Sequence, residues 1–109
     1  MNNISSIRKE QDIILEEANK YILLKEHSYK KINNGKDLYD EICKNTNIIR
    51  AFFIKINNLQ KKIDDITGEK STLYEYNKII ALFNSPFISK LKRIDIKSYR
   101  KLNNDLEEN

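Results

Sequence analysis

Two side chains that could act as a nucleophile and its base, Cys43 and His27, each occur only once in this sequence. A thiol becomes a good nucleophile when a base or a positive charge lowers its pKa, so the fold would have to bring these two residues together. "KEHS" is typical of a solvated helix end, and "YDEICKN" places Cys43 beside an apolar position. We interpret His27 as solvated and Cys43 as a small core residue, and we predict that the protein is not an enzyme.

The carboxylates that could bind a metal ion are Asp64, Asp65 and Glu69. They lack the loop spacing of an EF-hand and the paired-carboxylate pattern of a helical metal site, so we interpret them as a solvated helix end. Gly68 is too isolated to form a phosphate-binding loop, and a single cysteine excludes an internal disulfide. No metal or other cofactor is predicted.

The length and composition favour one helical domain. A chain of 109 residues suits a single domain, residues 1–109, whose core needs no metal or disulfide. With only two glycines and one proline, the sequence has few turns for a β protein. The net charge is +4, but an AT-rich genome would also enrich the sequence in Ile, Lys and Asn. Charges from Arg8 onward interrupt any signal-peptide core, so we expect a cytoplasmic protein, with a peripheral position at the inner face of the membrane as an open alternative.

A first long helix is predicted from residue 4 to about residue 32, because its apolar residues recur at intervals of four or seven. These residues are Ile7, Ile14, Ala18, Ile22, Tyr29 and Ile32. The stripe is widened by Ile13, Leu15, Tyr21, Leu23 and Leu24, so we expect this helix to contact more than one neighbour. Gly35 is predicted to adopt the left-handed conformation after the helix end, and Asp37 suits the start of the next helix.

The second helix, over residues 36–66, has the clearest periodicity, with apolar spacings of four and three as along a heptad seam. The seam comprises Leu38, Ile42, Asn45, Ile49, Phe52, Ile56, Leu59, Ile63 and Ile66. Arg50 and Lys55 lie off the seam and Ile54 lies opposite it, so we expect further helices to enclose this segment. Two alternatives stay open: a break near Asn45, and a homodimer formed through the 38–66 seam.

Shorter helices are predicted after Gly68, which suits the end of the second helix. Thr72 and Glu75 have the spacing of a capping box for a third helix that runs to about Phe83. "NSPF" then suits the start of another short helix, with the proline in its first turn.

The closing segment begins with "RIDIKS", which alternates like a short strand, and continues as a helix with Tyr99, Leu102 and Leu106. The last few residues are expected to fray. The predicted fold class is therefore all-α: an antiparallel bundle of four or five helices, with the two long helices first.

Positive charge is concentrated between residues 88 and 101, where six Lys and Arg residues accompany one acid, Asp95. Cations interleaved with apolar side chains suit docking on another protein. The predicted partner-binding residues are Phe87, Lys90, Leu91, Lys92, Arg93, Lys97, Tyr99, Arg100 and Lys101. The same charges, together with stacking tyrosines, could instead bind nucleic acid. A helical adaptor or inhibitor of another protein is the third alternative.

The segment "YNKIIALFNSPFISKLKRIDIKSYRKLNNDLEE", residues 76–108, resembles the equivalent region of pediocin-like (class IIa) bacteriocin immunity proteins. The matching positions are Tyr76, Asn77, Lys78, Ile79, Lys90, Leu91, Leu102 and Leu106. The resemblance implies a cytosolic antiparallel four-helix bundle. It also implies that the protein protects the producing cell by engaging the membrane sugar-transport receptor captured by the bacteriocin. The C-terminal half would largely decide which toxin is blocked.

Overall fold

Helices make up most of the computed structural model, which describes residues 3–107 and, for residues 106 and 107, only the backbone. Within this range the elements are α1 (Asn3–Lys25), a 3₁₀ helix (Ser28–Lys31), α2 (Gly35–Thr67), α3 (Tyr76–Ile94) and α4 (Ile96–Glu107). The predicted all-α class, with two long helices followed by shorter ones, is confirmed. The predicted fraying of the last residues and the side chain of Leu106 lie outside the described part of the chain.

Polar contacts along α1 and α2 show that these helices are antiparallel. Near the start of α1, Gln11 Nε2 donates to Gln60 Oε1 at 3.1 Å. At the other end of α1, Lys25 Nζ lies 3.5 Å from Glu41 Oε1. Residue numbers therefore rise along α1 as they fall along the facing part of α2.

α3 runs antiparallel to α2 on another side. The side chain of Asn57, in α2, forms two hydrogen bonds with the backbone of Tyr74. Its Oδ1 accepts from Tyr74 N at 2.9 Å, and its Nδ2 donates to the Tyr74 carbonyl at 3.1 Å. Further along, Asn84 Nδ2 donates to Thr46 Oγ1 at 2.8 Å. The molecule is elongated, at 55 × 28 × 15 Å, because α2 alone is roughly 50 Å long.

Two apolar clusters hold the helices together, and α2 contributes to both. The first contains Ala18, Ile49, Phe53, Ile56 and Ile80. The second contains Leu38, Ile42, Phe87, Leu91 and Leu102. Burying each large apolar side chain contributes about 1.5–3 kcal/mol, so these clusters are the main source of the fold's stability.

α1 ends at Lys25, earlier than predicted, and a 3₁₀ helix takes over the remaining residues. Ser28 Oγ donates to the Lys25 carbonyl at 2.8 Å, which satisfies a helix-end acceptor. In agreement with the expectation that α1 has more than one neighbour, Ala18 of α1 belongs to the same buried cluster as residues of α2 and α3. However, Leu23 and Leu24 are 66% and 77% exposed and Ile13 is half exposed, since only one side of α1 is covered.

The two glycines act differently from each other. Gly68 has φ 75° and ends α2 as predicted. The prediction for Gly35 was wrong: it is the first residue of α2 and has no positive φ, and Asn34 caps the helix by accepting from Asp37 N at 2.8 Å. Gly35 instead permits a close approach, because a Cβ there would lie 1.9 Å from Asp95 Oδ2.

α2 is continuous through Asn45, which is fully buried and accepts a hydrogen bond from Tyr21 OH at 2.6 Å.

Most of the predicted seam is buried within the single chain, so α1 and α3 already occupy the surface that a seam-mediated homodimer would use. The seam departs from the prediction at two positions, because Phe52 is half-buried beside a buried Phe53 and Ile66 is exposed. Between them the predicted seam residues are buried, namely Ile56, Leu59 and Ile63. The predicted enclosure of Ile54 was also wrong, because no helix within residues 3–107 covers that face and Ile54 is exposed.

α3 begins later and continues further than predicted. Glu75 is its N-cap without a side-chain cap bond, and the predicted capping box at Thr72 does not form, because Asn57 holds the backbone at Tyr74 outside the helix. Pro86 lies inside α3 rather than starting a new helix. The carbonyl that it leaves without a donor belongs to Leu82, whose side chain is 80% exposed, so water can reach it.

The strand-like pattern of "RIDIKS" corresponds to a corner between two helices. Asp95 interrupts the helical path, and its carboxylate accepts from Ser98 N at 3.1 Å and from Ser98 Oγ at 2.6 Å. This is an N-cap for α4. The corner lies next to Gly35, at one end of the long helix α2.

Candidate interaction site: a basic pole

Two predicted partner-binding residues, Phe87 and Leu91, are fully buried in the second cluster, so this part of the site prediction was wrong. They lie one turn apart on the face of α3 that packs against α2 and α4. The centre of the Phe87 ring also lies 5.4 Å from the centre of the Tyr29 ring. Both residues therefore stabilise the bundle and cannot contact a partner.

Lys90 has a structural contact that the sequence does not indicate. Its Nζ donates to the carbonyls of Tyr29 and Lys30, at 2.7 and 3.4 Å, and to Asn33 Oδ1 at 3.3 Å. The ammonium thus ties α3 to the 3₁₀ helix and the following loop. It is not a free docking cation as predicted.

Three of the predicted residues form cation–π contacts or pack on the core. Lys92 Nζ lies 5.5 Å from the centre of the Tyr99 ring, and Lys101 Nζ lies 5.3 Å from that of Tyr39. Tyr99 itself is half-buried against the second cluster. Both lysines remain exposed, so their charges still contribute to the surface potential.

The remaining predicted cations are Arg93, Lys97 and Arg100, and all three are exposed. Among the residues that the structure describes, none of them forms a salt bridge. Hydrogen bonds from Ser98 lower the pKa of the neighbouring Asp95 carboxyl, which therefore stays ionised while it caps α4. The predicted basic segment is thus basic at its surface. Unlike Lys90, Lys92 and Lys101, these three cations form neither a hydrogen bond nor a cation–π contact through the charged group among the described residues.

The fold adds cations that the segment-based prediction missed. The Lys90 contacts bring Lys30 and Lys31 of the 3₁₀ helix beside α3, and the approach of Gly35 to Asp95 brings Lys36 to the corner. All three added lysines are exposed. They lie more than fifty positions from residues 90–101, so only the fold could reveal that the two groups are neighbours.

Exposed apolar side chains occur at the same corner. Ile94 and Ile96, on either side of Asp95, are 40% and 43% exposed. They take the place of the buried Phe87 and Leu91 as the apolar part of the candidate site. We define the basic pole as Lys30, Lys31, Lys36, Lys92, Arg93, Lys97 and Arg100, together with Ile94 and Ile96.

Acidic residues offset only part of this charge. Asp37 and Asp40 are exposed near the start of α2, and Asp95 lies at the corner itself. Asp37 accepts a hydrogen bond from Asn34 Nδ2 at 2.7 Å. Seven cations against three acids leave the pole net positive.

The sequence candidates for catalysis lie in separate places. Cys43 lines a cleft of about 430 Å³ between α2, α3 and α4, whereas His27 lines a groove between α1 and α3. Burial raises the pKa of the Cys43 thiol, which disfavours the reactive thiolate. In the same cleft Tyr39 OH donates to Asp105, and this bond raises the pKa of the tyrosine.

The acidic group after α2 stabilises a turn. Asp64 accepts from Ser71 N at 3.0 Å, from Ser71 Oγ at 2.9 Å and from Gln60 Nε2 at 3.0 Å. The hydrogen bonds from Ser71 and Gln60 lower the pKa of the Asp64 carboxyl. Among the described side chains, no three of the His, Cys, Asp and Glu residues are grouped so that they could hold a metal ion.

The comparisons with known proteins leave the basic pole as the main guide to function. In the described part of the chain, no helix is both long enough and apolar enough to cross a bilayer. No protein-family model matches the sequence, and neither a curated protein nor a solved structure is detectably similar to it.

Proposed function

We propose that this protein acts without catalysis, by binding another protein through its basic pole. The observation that carries the proposal is the convergence of two distant basic segments around Ile94 and Ile96. In such a surface, the cations raise the rate of encounter with an acidic partner and orient it. The exposed isoleucines supply apolar area, which provides much of the affinity once the surfaces are in contact.

The partner that we propose is a membrane sugar-transport receptor with bound bacteriocin, reached from its cytosolic side. This makes the protein a bacteriocin immunity protein. Support comes from the order of the four α-helices and the antiparallel packing of α1 and α3 on α2, which agree with the bundle implied by the resemblance of residues 76–108. In addition, most of the basic pole belongs to α3 and α4, the half in which toxin specificity would reside.

Expression in a bacteriocin-sensitive strain tests this function. The unmodified protein should confer resistance to one class of pediocin-like bacteriocin. A variant with Arg93→Gln, Lys97→Gln and Arg100→Gln should lose most of this protection, because the removed cations are exposed and contribute little to stability.

A matched control is available at the other end of the molecule. Lys61→Gln, Lys62→Gln and Lys70→Gln remove the same charge from exposed positions. Lys61 and Lys62 lie roughly 40 Å along α2 from Gly35, and Lys70 follows α2 next to Ser71, which binds Asp64. This control should protect as well as the unmodified protein. Failure of the soluble, unmodified protein to protect against any such toxin would refute the immunity function.

The convergence of cations also supports a second candidate, nucleic-acid binding. A site made of flexible lysines and arginines gains affinity mainly from counterion release, so we expect weak, sequence-independent binding that is lost between low and physiological salt. Tight binding to RNA or DNA at physiological salt would favour this candidate over immunity. A helical adaptor of another protein is the alternative if neither receptor nor nucleic acid binds.

A further inference from the structure

We propose that the basic pole also binds the anionic headgroups of a lipid bilayer, so that the protein docks end-on against a membrane surface. This inference rests on the proposed function in that it uses the same surface. It adds a second partner: the lipid that surrounds a membrane-embedded receptor.

The charge of the basic pole fits an anionic surface. Seven exposed cations from the 3₁₀ helix, the start of α2, the end of α3 and the start of α4 lie at one end of the molecule. Each cation close to an anionic bilayer improves partitioning roughly five-fold. The three acids at this end reduce the sum but leave several uncompensated cations.

The two exposed isoleucines distinguish a bilayer from a simple polyanion. Ile94 and Ile96 are exposed on either side of Asp95, at the corner between α3 and α4. Arg93 and Lys97 flank them in the sequence. Apolar side chains surrounded by cations can enter the interfacial region while the cations remain among the headgroups. Phosphates of a nucleic acid backbone would give these isoleucines no apolar environment.

The position of the corner makes such an approach possible. It lies next to Gly35, where α2 begins, and α2 spans most of the 55 Å length of the molecule. A flat bilayer can therefore contact the corner without meeting the sides of the bundle. Lys90 joins α3 to the 3₁₀ helix, and the Asp95 cap joins the end of α3 to the start of α4. The cations of the basic pole therefore lie on elements that are bound to one another.

Co-sedimentation with receptor-free vesicles tests the inference. Vesicles of 30% phosphatidylglycerol in phosphatidylcholine should bind the protein at least ten-fold more tightly than vesicles of phosphatidylcholine alone, with binding weakened by salt. The variant with Arg93→Gln, Lys97→Gln and Arg100→Gln should bind roughly a hundred-fold more weakly. Ile94→Ser with Ile96→Ser should weaken binding by roughly ten-fold.

The control with Lys61→Gln, Lys62→Gln and Lys70→Gln should bind within about two-fold of the unmodified protein, because those positions lie well beyond a Debye length of about 10 Å from the docked surface. Helical circular dichroism melts confirm that each variant is folded. Equal losses in the two charge variants, no preference for phosphatidylglycerol, or full binding by the isoleucine variant would each overturn the inference. Tighter binding to a homopolymer RNA, unaffected by the isoleucine changes, would identify a polyanion site instead.

The two proposals fail separately. The vesicles contain no receptor, so protection of cells by a protein that does not bind vesicles would overturn only the lipid inference. Vesicle binding by a protein that protects no cell would overturn only the immunity function.

Discussion

At the scale of single residues, Lys90 and Gly35 show how the basic pole is assembled. Lys90 resembles its neighbouring lysines in the sequence, yet its ammonium donates to two backbone carbonyls of the 3₁₀ helix. Gly35 lies where the start of α2 meets the corner between α3 and α4. Each residue joins segments that are distant in sequence, so each should affect stability more than its exposed neighbours do.

Lys90→Gln should lower the free energy of unfolding by about 1 kcal/mol, because the shorter side chain leaves the Tyr29 and Lys30 carbonyls without their charged donor. Lys97→Gln, at an exposed position without a salt bridge among the described residues, should change it by less than about 0.5 kcal/mol. Urea unfolding followed by circular dichroism measures both. Equal effects would show that the Lys90 contacts contribute nothing to stability.

Gly35→Ala should destabilise the fold by about 1–3 kcal/mol, because the new Cβ overlaps the Asp95 side chain and forces it out of its cap position. The same change in an Asp95→Gly background should cost much less, since the overlapping atoms are gone. A double-mutant cycle measured by urea unfolding gives the coupling between the two positions. Additive effects would contradict the close approach of Gly35 to Asp95.

At the scale of helices, periodicity predicts which segments are helical better than it predicts where they end. Nearly all of the seam in α2 was predictable, because seven-residue spacing reports one face of a helix directly. The boundaries of α3 were not predictable, because the clamp between Asn57 and Tyr74 and the tolerance of Pro86 inside a helix both depend on tertiary contacts. Contacts between distant residues therefore decided where α3 begins, and the local capping-box pattern at Thr72 did not.

The same limit applies to the candidate site. Charge density identified residues 88–101, and exposed cations are found there. The choice of apolar residues failed, because Phe87 and Leu91 repeat at the core-facing spacing of α3. Ile94 ends α3 and Ile96 begins α4, and both are exposed at the corner between these helices. Which apolar residues are buried depends on how α3 packs against α2 and α4, and that packing is not visible in the segment alone.

The different burial of Phe52 and Phe53 gives a prediction for α2. Phe53→Ala should cost about 3–5 kcal/mol because the ring is buried in the first cluster, whereas Phe52→Ala at a half-buried position should cost about half as much or less. This reverses the order expected from the ideal heptad, in which Phe52 occupies the seam. Thermal and urea unfolding of both variants measure the difference. A larger loss for Phe52→Ala would contradict the burial of Phe53 in the first cluster.

At the scale of the whole molecule, the long helix α2 separates two ends with different surfaces. One end carries the basic pole, and the other carries the turn in which Asp64 is bound by Ser71 and Gln60. Because the seam is covered by α1 and α3, the surface left for a partner lies at the ends and outer faces of the bundle. The end-on binding that we propose would use one of these surfaces, the basic pole.

Affinity purification from bacteriocin-treated sensitive cells tests this central claim most directly. Tagged unmodified protein and the variant with Lys61→Gln, Lys62→Gln and Lys70→Gln should both retain the sugar-transporter subunits. The variant with Arg93→Gln, Lys97→Gln and Arg100→Gln should retain at least ten-fold less, a loss of about 1.4 kcal/mol or more in binding free energy. Equal recovery of transporter subunits by the two charge variants would contradict binding through the basic pole.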